Sequence, residues 1–148
     1  MVKAPPPVWT LVCLLVAAAL SALAGWPRLP GLPVVPLGVV LVAAGVALPV
    51  WAGALFRRAG ATFIPHATEH KRLVVDGPYR FTRNPMYLGM TLVALGIAVW
   101  NGAWPMFLAP IAAIVTFSLV HIPYEEAAMG REFGAAFDDY ARRVRRWI

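Results

Sequence analysis

Polar and apolar positions alternate in long blocks rather than at short period. Val8 to Gly25 is a run of 18 residues without a charged side chain, and Val34 to Phe56 is another of 23. Met86 to Ile122 gives 37 more, interrupted near the middle by Trp100-Asn-Gly-Ala-Trp-Pro105. A helix that spans a bilayer needs about 20 mostly apolar residues. Asn-Gly followed by a proline is a turn signal. The third block therefore reads as a hairpin of two helices, 86–100 and 104–122. The prediction is an all-α membrane helical bundle in one domain of 148 residues, with about four spans (8–25, 34–56, 86–100, 104–122). Residues 57–85 and 123–148 form the elements outside the membrane. No period of about 20–50 residues repeats.

Composition agrees. The chain is 60% hydrophobic and 14% charged, whereas soluble domains are nearer half apolar and a quarter charged. "ALA" at Ala22 to Ala24 resembles a signal-cleavage site, but the run before it exceeds the usual core of about 7–15 residues, so the first helix reads as retained. Net charge is +6. Four spans put 12 of the 13 Lys and Arg on one side, leaving only Arg28 opposite. That asymmetry sets orientation. Both termini and the 57–83 loop are expected in the cytoplasm, in a bacterial inner membrane. It also explains the basic balance without nucleic acid. Trp9, Trp26, Trp100 and Trp104 fall at span ends, where interfacial tryptophans belong. The single Cys13 makes neither an internal disulfide nor a cysteine metal site, and no metal is assigned to His66 or His70.

Candidate chemistry gathers on the basic side. "RLVV" (Arg72 to Val75) reads as a short extended piece, and Asp76-Gly-Pro78 as a turn. In Arg80-Phe-Thr-Arg-Asn-Pro-Met-Tyr-Leu-Gly89, Pro85 suits the first position of a helix, with Asn84 as its N-cap. The free N–H groups of that end favour an anion such as a carboxylate. Gly89 and Gly96 share a face, which invites close packing. Glu125 follows His121 by one helical turn, and Pro123 is placed to kink that turn. Met129, Phe133, Phe137 and Tyr140 then recur at helical spacing, predicting an amphipathic tail that lies at the interface or covers a pocket.

"LVVDGPYRFTRNPMYLG" followed by "EEAAMGREFGAAFDDYARRV" resembles the isoprenylcysteine carboxyl methyltransferase family and the related phospholipid methyltransferases. The resemblance covers about Leu73 to Ile148. It implies a membrane methyltransferase using S-adenosyl-L-methionine, with membrane lipids around it and a lipidic or amphipathic acceptor. Carried over position by position, cofactor contacts fall on Lys71, Arg72, Leu73, Val74, Tyr79, Asn84, Pro85, Met86, Tyr87 and Glu125. Arg83, His121, Glu125 and Glu126 are the candidates for direct participation. Two positions depart from the family. Arg-His-Pro is Arg-Asn-Pro here, and the family's substrate-side arginine falls on His121, which makes an amine or hydroxyl acceptor with His121 or Glu126 as base an alternative to a carboxylate. Two other functions compete: an NAD(P)H-dependent reductase of the sterol-reductase type, its arginines on a phosphate, and a membrane adaptor without catalysis.

Overall fold

The computed structural model describes residues 5–58 and 73–148, and those residues are mostly helical with no named strand among them. Leu73 to Val75 have no regular structure, so the extended piece expected there pairs with nothing described. Among the described residues the α-helices are α1 (Pro6–Leu23), α2 (Val35–Arg58), α3 (Pro85–Asn101), α4 (Leu108–Thr116), α5 (Ile122–Phe133) and α6 (Ala135–Arg143). Short 3₁₀ turns cover Gly77–Arg80 and Trp104–Phe107, and a π turn covers Phe117–His121. By length and hydropathy α1, α2 and the continuous Trp104–Phe133 rod are able to cross a membrane, while α3 is apolar but shorter.

The helical hairpin is as expected, with its reason visible at the turn. Gly102 closes α3 at φ +81°, its N–H returning to the Ala98 carbonyl. A side chain is strained at that angle. The Asn101 side-chain oxygen then accepts from Ala103 N–H. The proline-rich connection between α1 and α2 lies against this turn: Leu29 N–H donates to the Gly102 carbonyl, and Trp104 N–H to the Pro27 carbonyl.

One structural difference lies beyond residue 122. The rod does not end where charge begins. It passes through the π turn and runs on as α5 to Phe133. Pro123 has no N–H for a carbonyl one turn back, and the ladder widens over the five residues before Ile122 instead of breaking. The tail beyond is two helices rather than one. Gly134, at φ +52°, breaks it, and α6 turns back so that Phe137 and Tyr140 pack with Val74, Tyr79 and Ala52.

The bundle's tightest contact is α2 on α3. A Cβ on Gly45 would sit 2.7 Å from the Gly89 carbonyl, and one on Gly89 2.5 Å from the Gly45 carbonyl. Gly38 and Gly96 repeat the arrangement at 2.8 Å each way. The expected small-residue face of α3 is thus matched by a second one on α2, two turns apart. Helices in lipid gain little hydrophobic energy from each other, so close backbone approach carries much of the association. Gly45→Val is expected to separate α2 from α3 and lower unfolding stability by about 1–3 kcal/mol. Denaturation in detergent measures it, with Gly130→Ala as the control. A Cβ at Gly130 meets its first neighbour only at 4.0 Å, so that variant is expected to be near neutral.

Candidate functional site

The start of α3 is built by a strap that the spacing of the tail did not reveal. After α6 the chain crosses Thr82 to Asn84. Arg83 N–H donates to the Arg145 carbonyl at 3.0 Å. The Arg146 carbonyl accepts from the Asn84 side-chain amide at 2.9 Å and the Thr82 hydroxyl at 3.2 Å. Trp147 Nε1 donates to the Ser118 hydroxyl at 3.1 Å. Asn84 therefore does not cap the helix with its side chain, contrary to the sequence expectation. Its amide is drawn away by the strap, and Thr82 accepts the Asn84 N–H instead. Pro85 at the first helical position, which has no N–H to satisfy, is as expected.

Glu126 joins the pieces. Its Oε1 takes Arg83 Nη2 at 2.8 Å and its Oε2 takes Arg146 Nη2 at 2.6 Å. Arg83 also donates through Nη1 to the Ala141 carbonyl at 2.7 Å. Both oxygens of the Glu126 carboxylate are thus engaged by cations within the chain. Glu125, the next residue, faces elsewhere: its Oε1 accepts the Tyr87 hydroxyl at 2.6 Å. Tyr87 is buried and packs on Phe117, with ring centroids 4.7 Å apart. His121 stands beside both, 6.1 Å from the Tyr87 ring and 5.6 Å from Phe117. It is 5% exposed, and neither ring nitrogen has a hydrogen-bond partner among the described residues.

Three buried side-chain polar atoms lack a hydrogen bond among the described residues: both His121 nitrogens and Arg83 Nε. Buried polar groups are almost always satisfied. That all the exceptions fall on two of the sequence-selected residues marks this end of the bundle.

Tyr79, Leu73 and Val74 belong to a neighbouring cluster with Phe137 and Tyr140. Met86 packs against that cluster too, so Tyr87 and Met86 look into different halves of the site. Burial, with Tyr140 and Glu125 adding to it, pushes the Tyr79 hydroxyl well up. Burial likewise pushes Tyr140 up from 10.0 to about 12, against a smaller pull from Arg83. Tyr140 donates to the Tyr79 carbonyl at 2.7 Å. Lys71 and Arg72 lie outside the described residues.

The comparisons fit this geometry. The sequence model of the phospholipid methyltransferase family matches residues 34–136. The chain belongs to that family. It is 35% identical over 82 residues to protein-S-isoprenylcysteine O-methyltransferase B of Arabidopsis thaliana, covering 51% of this chain and 39% of that protein. It is 33% identical over 86 residues to a probable protein-S-isoprenylcysteine O-methyltransferase of Oryza sativa subsp. indica, covering 53% and 41%. An uncharacterized protein of Haemophilus influenzae is 32% identical over 63 residues, which is 43% of this chain and all of that one. The chain thus spans about two fifths of the length of the plant relatives. No solved structure matches.

Sequence reasoning missed Thr82, Arg146 and Trp147, and placed Tyr140 on the tail's apolar stripe without its bond to the Tyr79 carbonyl. The basic tail reads as a topology signal, which hides Arg146. The one available clue was Trp147, a large aromatic closing a run of arginines.

Glu126→Ala should release the strap, leaving Arg83 and Arg146 without their carboxylate. Limited trypsin digestion then cuts at Arg142 to Arg146 markedly faster than in the native protein, and Trp147 fluorescence shifts to the red. Unchanged cleavage would show that the backbone bonds to Arg145 and Arg146 suffice. Tyr140→Phe removes one buried hydrogen bond and costs about 1 kcal/mol at neutral pH. Because the folded-state value is raised, Tyr140 contributes fully below pH 10 and its contribution fades as pH rises toward about 12. Alkaline titration of stability therefore falls over that window in the native protein and less steeply in the variant.

Proposed function

We propose that this protein is a methyltransferase that uses S-adenosyl-L-methionine and acts, at the cytoplasmic face of the membrane, on a lipidic or amphipathic acceptor. Family membership supports the reaction class, and the printed activity of the plant relatives, O-methylation of an isoprenylcysteine, supports a lipid-borne acceptor. One structural observation carries the reading: among the described residues the only buried side-chain polar atoms without a hydrogen bond are both His121 nitrogens, beside the Tyr87 that bonds Glu125, and Nε of Arg83, whose partner Glu126 is the next residue, and a polar ligand at this end would satisfy them.

The residues fit the cofactor. Its amino-acid end carries an ammonium and a carboxylate, its sugar two hydroxyls and its sulfur a positive charge. Glu125 is the acidic partner for the ammonium or the hydroxyls. The first turn of α3 offers the N–H groups of Met86 and Tyr87 to the carboxylate, since Pro85 has none and that of Asn84 is taken by Thr82. Tyr79, Leu73 and Val74 lie alongside, and Lys71 and Arg72 precede them in sequence. When bound, the cofactor supplies a methyl on its sulfonium sulfur; the acceptor takes that methyl as the carbon–sulfur bond breaks, gives a proton to a base, and leaves S-adenosylhomocysteine.

The chain's own part is alignment and exclusion of water. Tyr87 donates to Glu125 and so fixes where the carboxylate points. Tyr87, Phe117 and Trp9 wall the imidazole of His121 with rings. Where the acceptor's proton is not already lost, His121 takes it. Glu126 and Arg83 hold the turn and the strap together. A nicotinamide reductase needs an arginine for a nucleotide phosphate, whereas both terminal nitrogens of Arg83 are already bonded within the chain, which weighs against that reading.

Calorimetry with S-adenosylhomocysteine tests the proposal. The native protein in nanodiscs is expected to bind it, with Tyr87→Phe and Glu125→Gln each weakening binding about tenfold or more, near 1.4 kcal/mol. Membranes given S-adenosyl-L-methionine labelled in the methyl group should yield label in extracted lipid. Heat from NADPH and none from S-adenosylhomocysteine would falsify it.

A further inference from the structure

α1 and α4 pack through Ala17 and Ala109 but part toward the lipid side of that contact. An apolar groove of about 180 Å³ runs between them, walled by Trp9, Val16 and Leu20 on α1 and by Leu108, Ala112 and Thr116 on the facing rod. Trp9 to Leu20 rises about 16 Å along a helix. Val16, Leu20 and Leu108 are exposed, so the groove opens toward the lipid. An apolar groove alone says nothing about its occupant, since any acyl chain fills it.

Its end supplies the missing constraint. Trp9 lines the groove and also stands edge-on to the His121 imidazole, 6.4 Å between centroids. Groove and imidazole share a wall. His121 is buried with both nitrogens unbonded, a state that costs about 1–3 kcal/mol. Its ring neighbours do not relieve it: Phe117 has no polar atom, and the Tyr87 hydroxyl already donates to Glu125.

We infer that groove and imidazole form one acceptor site. A single apolar chain lies between α1 and α4, and an uncharged head bearing an O–H or N–H hydrogen-bonds to His121. The charge around the imidazole selects the head. Glu125 lies one turn on, bonded to the Tyr87 that faces the imidazole. Arg83 and Arg146 are both engaged by Glu126. A carboxylate head would face Glu125 without a free arginine from that clamp to balance it. His121 is thus a specificity-determining residue that disfavours carboxylate acceptors. This deepens the methyltransferase reading and rests on it.

The test uses the full chain in phosphatidylcholine nanodiscs with S-adenosylhomocysteine present. The probes are farnesol, N-farnesylacetamide and N-acetyl-S-farnesylcysteine, which share a chain and differ in the head. Farnesol or N-farnesylacetamide is expected to raise the Tm by several degrees, and the carboxylate compound is not. His121→Phe keeps the ring and deletes the unbonded nitrogens. Its ligand-free Tm should equal or exceed that of the native protein, and its response to both neutral heads should vanish. Ala112→Trp, which fills the groove from an exposed position, should abolish the response while leaving His121 intact. The inference is overturned if neither neutral head shifts the native Tm, if the carboxylate compound shifts it as much, or if either variant keeps the response. A large loss of Tm in His121→Phe would likewise make the residue a structural hydrogen bonder and overturn it. Failure of the native protein to bind S-adenosylhomocysteine overturns the methyltransferase reading instead, and calorimetry detects that separately.

Discussion

The arrangement depends on Glu126. It is one of only seven acidic residues in the chain, it is mostly buried, and it holds a cation on each oxygen. A partly buried carboxylate is tolerated only when paired this fully. One cation comes from the turn before α3 and the other from the strap after α6. The pairing therefore fixes three segments that are far apart in sequence. It also fixes Glu125. Adjacent residues on an α-helix point about 100° apart. With Glu126 turned toward the strap, Glu125 is left facing α3, where the Tyr87 hydroxyl meets it at 2.6 Å. The two acids read alike in the sequence and have opposite environments, one neutralised on both oxygens and one with an oxygen to offer.

That clamp holds only if α3 itself is rigidly placed. Its position comes from the paired glycines. Gly45 against Gly89 and Gly38 against Gly96 bring the α2 and α3 backbones together at two levels, which fixes both rotation and depth. The lower pair lies one turn above Pro85. The polar end of α3 thus stands on the most closely packed part of the bundle, as a site needing sub-ångström placement requires.

Much of the frame was legible because it rests on local rules. Long uncharged runs give spans, Asn101-Gly102 gives the hairpin turn, Pro85 gives a helix start, and Gly89 with Gly96 gives a close face. The parts that were not legible are those decided by distant partners. Asn84 has the composition of an N-cap, yet the Arg146 carbonyl competes for its amide, and no local rule anticipates that. The tail has one unbroken helical period, yet Gly134 at positive φ folds it into two, allowing α6 to reach Tyr79. Arg146 looked like a topology charge because its pattern is identical to that of Arg142, Arg143 and Arg145. Only the fold distinguishes the one that meets a carboxylate. The lysine and arginine at 71 and 72 lie outside the described residues.

The π turn connects stability to chemistry. Inserting one residue into a helical turn rotates everything after it by about 100° relative to a straight helix. Without it, the face that carries Phe117 toward Tyr87 would no longer carry Glu125 there as well. With it, Phe117, His121 and Glu125 all meet the first turns of α3, and His121 is carried into a ring-walled space where it finds no partner among the described residues. A helix selected for stability alone would place phenylalanine or leucine at such a position, since replacing a buried unpaired polar group by an apolar one of similar shape is neutral or favourable. Retaining histidine there makes physical sense when another molecule completes its hydrogen bonds. The nearest described route by which a lipid could bring such a group is the one that ends at Trp9.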